Sequence, residues 1–179
     1  MSGGIDSLVA AHLLKKEGHK IFGIHFKTGF EKNKIDFSSI QKKLDIEIHT
    51  VDLSQEFNRS VVNYFLDTYT SGKTPNPCIF CNKTIKFGAL LDAAELFGAK
   101  KIATGHYVRT RNGENGISLI KGMDHDKDQS YFLSMLSQEQ LKKALFPLGE
   151  MTKEMVRKIA EQNNLVPIEK KREPGHLLY

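Results

Sequence analysis

The chain has 179 residues, a net charge of +5 and 40% hydrophobic residues, which fits one globular domain of about 100–200 residues and excludes a disordered chain. No apolar run reaches the roughly 18 residues of a transmembrane helix, and the N-terminus lacks the charged and apolar regions of a secretory signal. Two cysteines cannot form a disulfide framework and indicate a reducing compartment. We therefore expect a cytoplasmic protein without membrane contacts, whose basic charge permits an anionic partner such as nucleic acid.

Apolar periodicity and capping residues predict helices that alternate with short strands. The predicted helices cover residues 6–17, 34–44, 55–69 and 82–97, followed by two that begin after the caps Ser137 and Thr152. The predicted strands cover residues 20–26, 46–51 and 101–104, and a hairpin joins 107–111 to 117–121 around Asn112-Gly113. Strands separated by helices indicate an α/β fold with a doubly wound parallel sheet.

The first candidate site is the segment Ser2-Gly3-Gly4-Ile5-Asp6-Ser7, which leads directly into the first helix. Two glycines allow the backbone to approach an anion, and the N–H groups at a helix N-terminus bind phosphate. Ser2 and Ser7 add hydroxyl donors. Asp6 repels phosphate unless a cation lies between them, which favours Mg²⁺. The alternative is an ordinary glycine turn in which Asp or Ser caps the helix.

The second candidate site is the segment Thr74-Pro75-Asn76-Pro77-Cys78-Ile79-Phe80-Cys81-Asn82. The two prolines predict that the next helix begins at or just after the cysteines, where its dipole lowers the pKa of a thiol. Such thiols serve as nucleophiles or metal ligands. A zinc site needs two more ligands, of which His106 is one candidate. An iron–sulfur cluster at Cys78 and Cys81 would also lack ligands, and buried structural thiols are the remaining alternative.

Two later segments carry further candidates. The segment Ala103-Thr104-Gly105-His106-Tyr107 follows a predicted strand, at the end where open α/β sheets bind ligands. Gly105 allows a ligand to approach closely and His106 offers a donor, although a single histidine is more often structural. The last segment, Lys127-Asp128-Gln129-Ser130-Tyr131-Phe132-Leu133, combines side chains that can read bases or phosphates with an aromatic pair.

Taken in this order, the four segments resemble those of the tRNA-specific 2-thiouridylase family. The similarity runs from Met1 to about Pro167 and includes Ile85-Lys86-Phe87 and Phe146-Pro147-Leu148-Gly149. Other ATP pyrophosphatases of the PP-loop class share the first segment, whereas the second and fourth are far more specific. The resemblance implies a Rossmann-like ATP-binding domain of the adenine nucleotide alpha hydrolase type over residues 1–135. Residues 136–179 would then be a helical extension that begins the family's next domain.

The resemblance also implies an activity. ATP, with Mg²⁺, adenylates the C2 oxygen of the wobble uridine of tRNA and releases pyrophosphate. A cysteine persulfide then attacks C2, and AMP leaves. The implied partners are tRNA and a sulfur donor protein, either a cysteine desulfurase or a sulfur relay protein.

The family's functional positions carry over where the motifs match. Positions implied in ATP binding are Ser2, Gly3, Gly4, Asp6, Ser7, Phe26 and Gly105. Cys81 matches the family's nucleophile, and Cys78 is the second candidate catalytic thiol. Positions implied to meet the target base are Asn76, Pro77 and Cys78, and those implied in other tRNA contacts are His106, Lys127, Asp128 and Gln129.

The sequence departs from the family pattern in three places. Relatives have a strand directly before the glycine loop, where this chain has only Met1, so we expect residues 20–26 to lack a neighbouring strand and to leave a hydrophobic slot. A misplaced start and a truncated gene product are two hypotheses for this difference. Leu177 occupies the place of the family's other catalytic cysteine, and we expect the family's later domains, which help to hold the tRNA, to be missing from this chain.

These departures keep several alternatives open. One hypothesis is that Cys78 and Cys81 form a local pair, in which one thiol carries the sulfur as a persulfide and the other resolves that persulfide. The other hypothesis is that Cys78 is a family variant and that sulfur transfer is lost. For the whole chain, one alternative is another PP-loop ATP pyrophosphatase that acts on a small amide or carboxylate, although amidation has no need of paired thiols. The other is a non-catalytic or degraded remnant that binds ATP or tRNA weakly.

Overall fold

The structure is a computed structural model that describes residues 1–33 and 35–168. In these residues the strands are β1 (Gly23–Lys27), β2 (Ile48–Asp52), β3 (Ile102–Ala103), β4 (Val108–Gly113), β5 (Gly116–Lys121) and β6 (Ala144–Leu145). The single-segment helices are α1 (Ile5–Lys16), α2 (Ser38–Leu44), α5 (Gln138–Lys143) and α6 (Lys153–Gln162). Two longer helices contain a π-helical middle segment, namely α3 (Ser54–Phe57, Asn58–Val62, Asn63–Thr70) and α4 (Pro77–Phe80, Cys81–Ala89, Leu90–Leu96). A 3₁₀ turn spans Ser130–Leu133.

The strands form small parallel and antiparallel pairs, which confirms an α/β fold. β1 and β2 are parallel, and β3 and β6 are also parallel. β4 and β5 form an antiparallel hairpin. We expect residues 20–26 to lack a neighbouring strand, and this is wrong for one edge of β1, because β2 pairs with β1 along the whole length of β1. Beside β1 lies Met1, whose amino group donates to the carbonyl of Ile24.

The hairpin turns two residues later than predicted. Gly113 pairs with Gly116, so Glu114 and Asn115 form the turn rather than Asn112-Gly113. Ile117 packs against the hydrophobic core, and its backbone N–H donates to Oε1 of Gln138 at 2.8 Å. The sequence holds two Asn-Gly pairs, Asn112-Gly113 and Asn115-Gly116, so turn preference alone does not decide where the hairpin turns. The tertiary contacts of Ile117 favour the register that is observed.

The cysteine helix begins earlier than predicted. We expected it to start at residue 82, but α4 starts at Pro77, where a missing N–H costs nothing because the first-turn N–H groups have no helical partner. Asn76 caps this helix, since its side-chain oxygen accepts from the N–H of Ile79 at 3.4 Å. The two other predicted caps are confirmed: Ser137 forms a capping box with Gln140, and Thr152 accepts from the N–H of Met155.

Two hydrophobic cores hold the elements together. One surrounds Ile85 and Phe87 of α4 and includes Leu141 of α5. The other joins Leu8 of α1 to Val156 of α6. Residues on both sides of the predicted domain boundary at 135/136 therefore share both cores, and the division into domains stays a prediction. None of the helices in the described ranges is both long enough and apolar enough to cross a bilayer.

Candidate active site

The glycine loop forms a tight turn at the start of α1. Gly3 adopts φ +75°, a conformation that glycine tolerates best, and Gly4 is the N-cap. The Ser2 hydroxyl accepts from the N–H of Gly4 at 3.3 Å and lies 3.2 Å from the Ser7 hydroxyl. Ser7 also donates to the Gly4 carbonyl at 2.8 Å. Ser2 is exposed, so the loop presents a hydroxyl and a helix N-terminus to the surface.

Asp6 lies behind this loop in a network that the sequence did not predict. Each carboxylate oxygen is 2.9 Å from Nζ of Lys153, and the Tyr107 hydroxyl donates to Oδ1 at 2.8 Å. Lys153 stands 147 positions later in the chain, at the start of α6. No local motif signals a pair at this separation, so only the packing of α6 on α1 reveals it.

Gly105 lies against Asp6. A Cβ placed on Gly105 would be 2.9 Å from the Asp6 backbone carbonyl carbon, so no larger residue fits without a shift. The close approach that we expected at Gly105 is therefore to the first turn of α1. The position of Gly105 at a nucleotide stays a prediction.

The two cysteines lie one turn apart on α4, and both are free thiols. Cys78 is exposed and Cys81 is half-buried. Burial raises the pKa of Cys81, and the positive charge of Lys86 lowers it only in part. The expectation of a lowered thiol pKa is wrong for Cys81, because α4 begins four residues before it and the dipole effect fades beyond the first turn.

His106 joins the cysteine helix to the end of β3. Its side chain is buried beside the rings of Phe87 and Phe146, and Nδ1 lies 2.8 Å from the Thr104 hydroxyl. Burial, together with the charge of Lys86, lowers the pKa of His106 to about 3, so the ring is neutral at physiological pH. In this position only 9% of His106 is exposed, and its predicted contact with tRNA would need the surrounding side chains to move.

The loop before α4 is held by aromatic packing. Tyr64 stacks on Phe80 with ring centroids 3.7 Å apart, and its hydroxyl accepts from the N–H of Asn76 at 3.3 Å. Asn76 and Pro77 are thus fixed directly before the cysteines. Their contact with a target base stays a prediction.

Asp128 and Gln129 brace the hairpin. Gln129 exchanges two hydrogen bonds with the backbone of Tyr107, both at 3.1 Å. Asp128 accepts from the N–H of Gly122 at 2.9 Å and from the hydroxyl of Ser130 at 2.7 Å. These two side chains therefore have structural partners. Lys127, beside them, is half-exposed. Roles in tRNA binding stay predictions for all three.

The turn at Gly105 and His106 brings the two main candidate regions together. Gly105 packs against Asp6 after the glycine loop, and the next residue, His106, packs beside Phe87 on the cysteine helix. The sequence predicts the glycine loop and the cysteine segment as candidate sites, but it does not single out Lys86, Tyr107 or Lys153 as residues that interact with them. Phe26 is half-buried on β1 and packs against the first core, and its contact with adenine stays a prediction.

Metal ligands do not cluster in the described part of the chain. Among residues 1–33 and 35–168 there is no group of three or more His, Cys, Asp and Glu side chains that could hold an ion. A zinc site needs four ligands and an iron–sulfur cluster usually needs four thiolates. Cys78 and Cys81, with His106 buried and bonded to Thr104, do not fit either group.

Comparison with known proteins assigns the chain to a family. The family model described as the tRNA methyl transferase HUP domain matches residues 1–177. The chain belongs to this family. The HUP domain is an α/β fold, and its match agrees with the parallel strand pairs of the structure.

Several relatives are similar to nearly the whole of this HUP domain. The chain is 50% identical over 173 residues to the tRNA-specific 2-thiouridylase MnmA of Desulfosudis oleivorans, covering 96% of the chain and 48% of that protein. It is 46% identical to the protein of the same name from Proteus mirabilis, with 98% and 51% covered. It is 42% identical to that of Staphylococcus haemolyticus, with 98% and 50% covered. The resemblance to the 2-thiouridylase family is confirmed, and the chain spans about half the length of these relatives.

Proposed function

We propose that this HUP domain is the ATP-binding catalytic half of a tRNA-uridine 2-sulfurtransferase that acts in the cytoplasm. The observation that carries the proposal is the Gly105–His106 turn, which connects the glycine loop to the helix that bears Cys81. The names of the relatives support thiolation of tRNA over methyl transfer. The division into a domain at residues 1–135 and an extension at 136–179 is part of this proposal.

ATP would bind at the glycine loop. The positive φ of Gly3 and the N-terminus of a 12-residue helix suit a phosphate group, and Ser2 and Ser7 supply hydroxyls. Phe26 and Gly105 complete the proposed nucleotide contacts. Mg²⁺ would accompany the nucleotide and screen the charge of its phosphates, since Mg²⁺ commonly binds through substrate phosphates and water.

The proposed reaction has three steps. The C2 oxygen of the wobble uridine attacks the α-phosphorus of ATP, a P–O bond breaks, and pyrophosphate leaves. The terminal sulfur of a Cys81 persulfide then bonds to C2, and the C2–O bond breaks to release AMP. Reduction of the S–S bond by a second thiol frees the thiolated base and leaves a disulfide with Cys81. The half-burial of Cys81 suits this chemistry, because water is kept from the activated base.

Sulfur delivery is the part of the proposal in which this chain differs most from the family pattern. Leu177, which takes the place of the family's second catalytic cysteine, lies outside the described residues. Cys78 lies one turn from Cys81 and is exposed, so it is the nearest thiol that could resolve the persulfide. The sulfur donor would be a cysteine desulfurase or a sulfur relay protein. The competing hypothesis is that Cys78 is a family variant and that sulfur transfer is lost.

The tRNA would approach where Cys78 meets the surface. Asn76 and Pro77 are fixed by the cap and by Tyr64, so they can present a defined surface to the target base. Among the other proposed contacts, the half-exposed Lys127 is better placed for a phosphate than the buried His106. Asp128 and Gln129 would act mainly by holding Lys127 in position.

Mass spectrometry of tRNA tests the function directly. The chain is incubated with tRNA, ATP, Mg²⁺ and a sulfur donor, and the modified nucleoside is measured alongside release of pyrophosphate. We expect a 2-thiouridine product that disappears in Cys81→Ser and pyrophosphate release that depends on tRNA. Cys78→Ser tests the local pair, because undiminished thiolation in this variant would exclude it. Pyrophosphate release that depends on tRNA but yields no 2-thiouridine from the original chain would instead indicate that sulfur transfer is lost.

Two other outcomes correspond to the alternative functions. Pyrophosphate release that needs a small amide or carboxylate instead of tRNA would indicate another PP-loop ATP pyrophosphatase. Absence of both pyrophosphate and product, from a chain that is folded by circular dichroism, would indicate a non-catalytic remnant.

A further inference from the structure

Asp6 presents an electrostatic problem for the glycine loop. Its carboxylate follows the loop by two residues, and a negative charge there repels phosphate. In the structure this carboxylate already faces a cation, because Nζ of Lys153 is 2.9 Å from both of its oxygens. The Tyr107 hydroxyl, 2.8 Å from Oδ1, holds the carboxylate from a second direction.

Lys153 is held in place by its own surroundings. Its side chain is only 11% exposed, against 34% for Asp6. Its backbone N–H donates to Oδ2 of Asp124 at 2.8 Å, and the ring of Tyr107 lies 5.8 Å from Nζ. An ammonium group so far removed from water is costly without a charged partner, so this pair is unlike an exposed ion pair, which contributes little.

We propose that Lys153 is a positioning residue for ATP, because its charge neutralises Asp6 and thereby lets the glycine loop accept phosphate. Lys153 acts through Asp6, which Tyr107 keeps oriented. The arrangement makes the nucleotide loop dependent on α6, at the far end of the described chain. This inference rests on the proposed binding of ATP at the glycine loop.

A double-mutant cycle on the full chain tests this role. Affinity for ATP is measured by isothermal titration calorimetry for the original chain and for Lys153→Met, each with Asp6 and with Asp6→Asn. We expect Lys153→Met to weaken ATP binding about tenfold or more while Asp6 is present, since an unscreened carboxylate then faces the phosphates. In the Asp6→Asn background, Lys153→Met should have no further effect. Affinity for adenosine, which has no phosphate, should stay the same throughout.

Three further variants separate charge from structure. Lys153→Arg keeps the charge and should bind ATP with an affinity within about threefold of that of the original chain. A loss of that size is small beside the roughly tenfold loss expected when the charge is removed. Lys153→Gln removes the charge but keeps a hydrogen-bond donor, and it replaces Lys153→Met in the cycle if that variant does not fold. Lys158→Met, at an exposed lysine of the same helix, is the matched control.

The possible failures are distinguishable. Three results would overturn the role of Lys153 while leaving ATP binding intact. ATP affinity could be unchanged in both Lys153→Met and Lys153→Gln, or the loss of ATP affinity could be equal with Asp6 and with Asp6→Asn. The third result is a loss of adenosine affinity equal to the loss of ATP affinity. A folded original chain that binds no ATP would instead overturn the proposed function, and this inference with it.

Discussion

Lys86 follows Cys81 by five residues on the π-helical segment of α4, and its charge opposes the rise in pKa that burial imposes on the thiol. The wider turn of a π-helix brings residues five apart toward one face. Lys86 is itself half-buried, and burial lowers its pKa, while the two cysteines raise it in return. A single lysine thus influences both the Cys81 thiol and the neutral ring of His106.

Removal of Lys86 should make Cys81 less acidic. A nearby positive charge favours the thiolate, so Lys86→Met should raise the pKa of Cys81 further and slow its alkylation at fixed pH by about tenfold. The pH dependence of iodoacetamide reaction, followed by mass spectrometry in a Cys78→Ser background, measures this change. Lys83→Met on the same helix is the control. Identical alkylation profiles for Lys86→Met and Lys83→Met would contradict the coupling.

Replacement of Gly105 by alanine should destabilise the fold. The new Cβ would lie 2.9 Å from both the carbonyl carbon and the Cβ of Asp6, so α1 and the β3 end must separate. Overpacking of this kind costs about 1–3 kcal/mol. Urea unfolding measures the loss. Gly113→Ala is the control, since its nearest neighbour would be at an ordinary 3.5 Å, and equal stability of the two variants would argue against the close contact.

Acid should weaken the folded state through His106. The pKa of His106 is about 3 in the folded chain and near 6.5 when unfolded, so between these values the unfolded chain binds the extra proton. Stability from this group is therefore complete above pH 6.5 and falls toward pH 3, by up to about 1.4 kcal/mol per pH unit. Urea unfolding at several pH values should show a shallower dependence for His106→Asn. Parallel curves for both proteins would contradict a buried neutral histidine.

Loss of the Gln140 side chain should loosen the cysteine helix. Its Nε2 donates to the carbonyls of Lys83 and Phe87, both at 2.8 Å, next to the break at Gly88. Gln140→Leu leaves these carbonyls without that partner, which costs about 1–3 kcal/mol. Thermal unfolding and hydrogen exchange of α4 measure the effect, with the exposed Gln162→Leu as control. Unchanged exchange in α4 would show that Gln140 does not support it.

Local features were predictable from the sequence, and distant ones were not. The capping box of Ser137 and Gln140 follows from a four-residue pattern, and the structure confirms it. The Asp6–Lys153 pair spans 147 positions, and no short-range pattern encodes it. The expected direction of the Cys81 pKa shift is wrong, because the sequence shows neither that the helix begins four residues earlier, at Pro77, nor that the thiol is half-buried. The predicted hairpin register is also wrong because it depends on a tertiary contact, the packing of Ile117 against the core, that the local sequence does not show.

The reciprocal bonds between Gln129 and Tyr107 close the hairpin and its following loop into a ring. The turn at Glu114 and Asn115 lies exposed at the opposite end of that ring. A peptide tag or a fluorescent reporter inserted between these two residues would lengthen only a surface turn, where extra chain costs little. The fold thus offers a handle for labelling or immobilisation that leaves the glycine loop and both cysteines untouched.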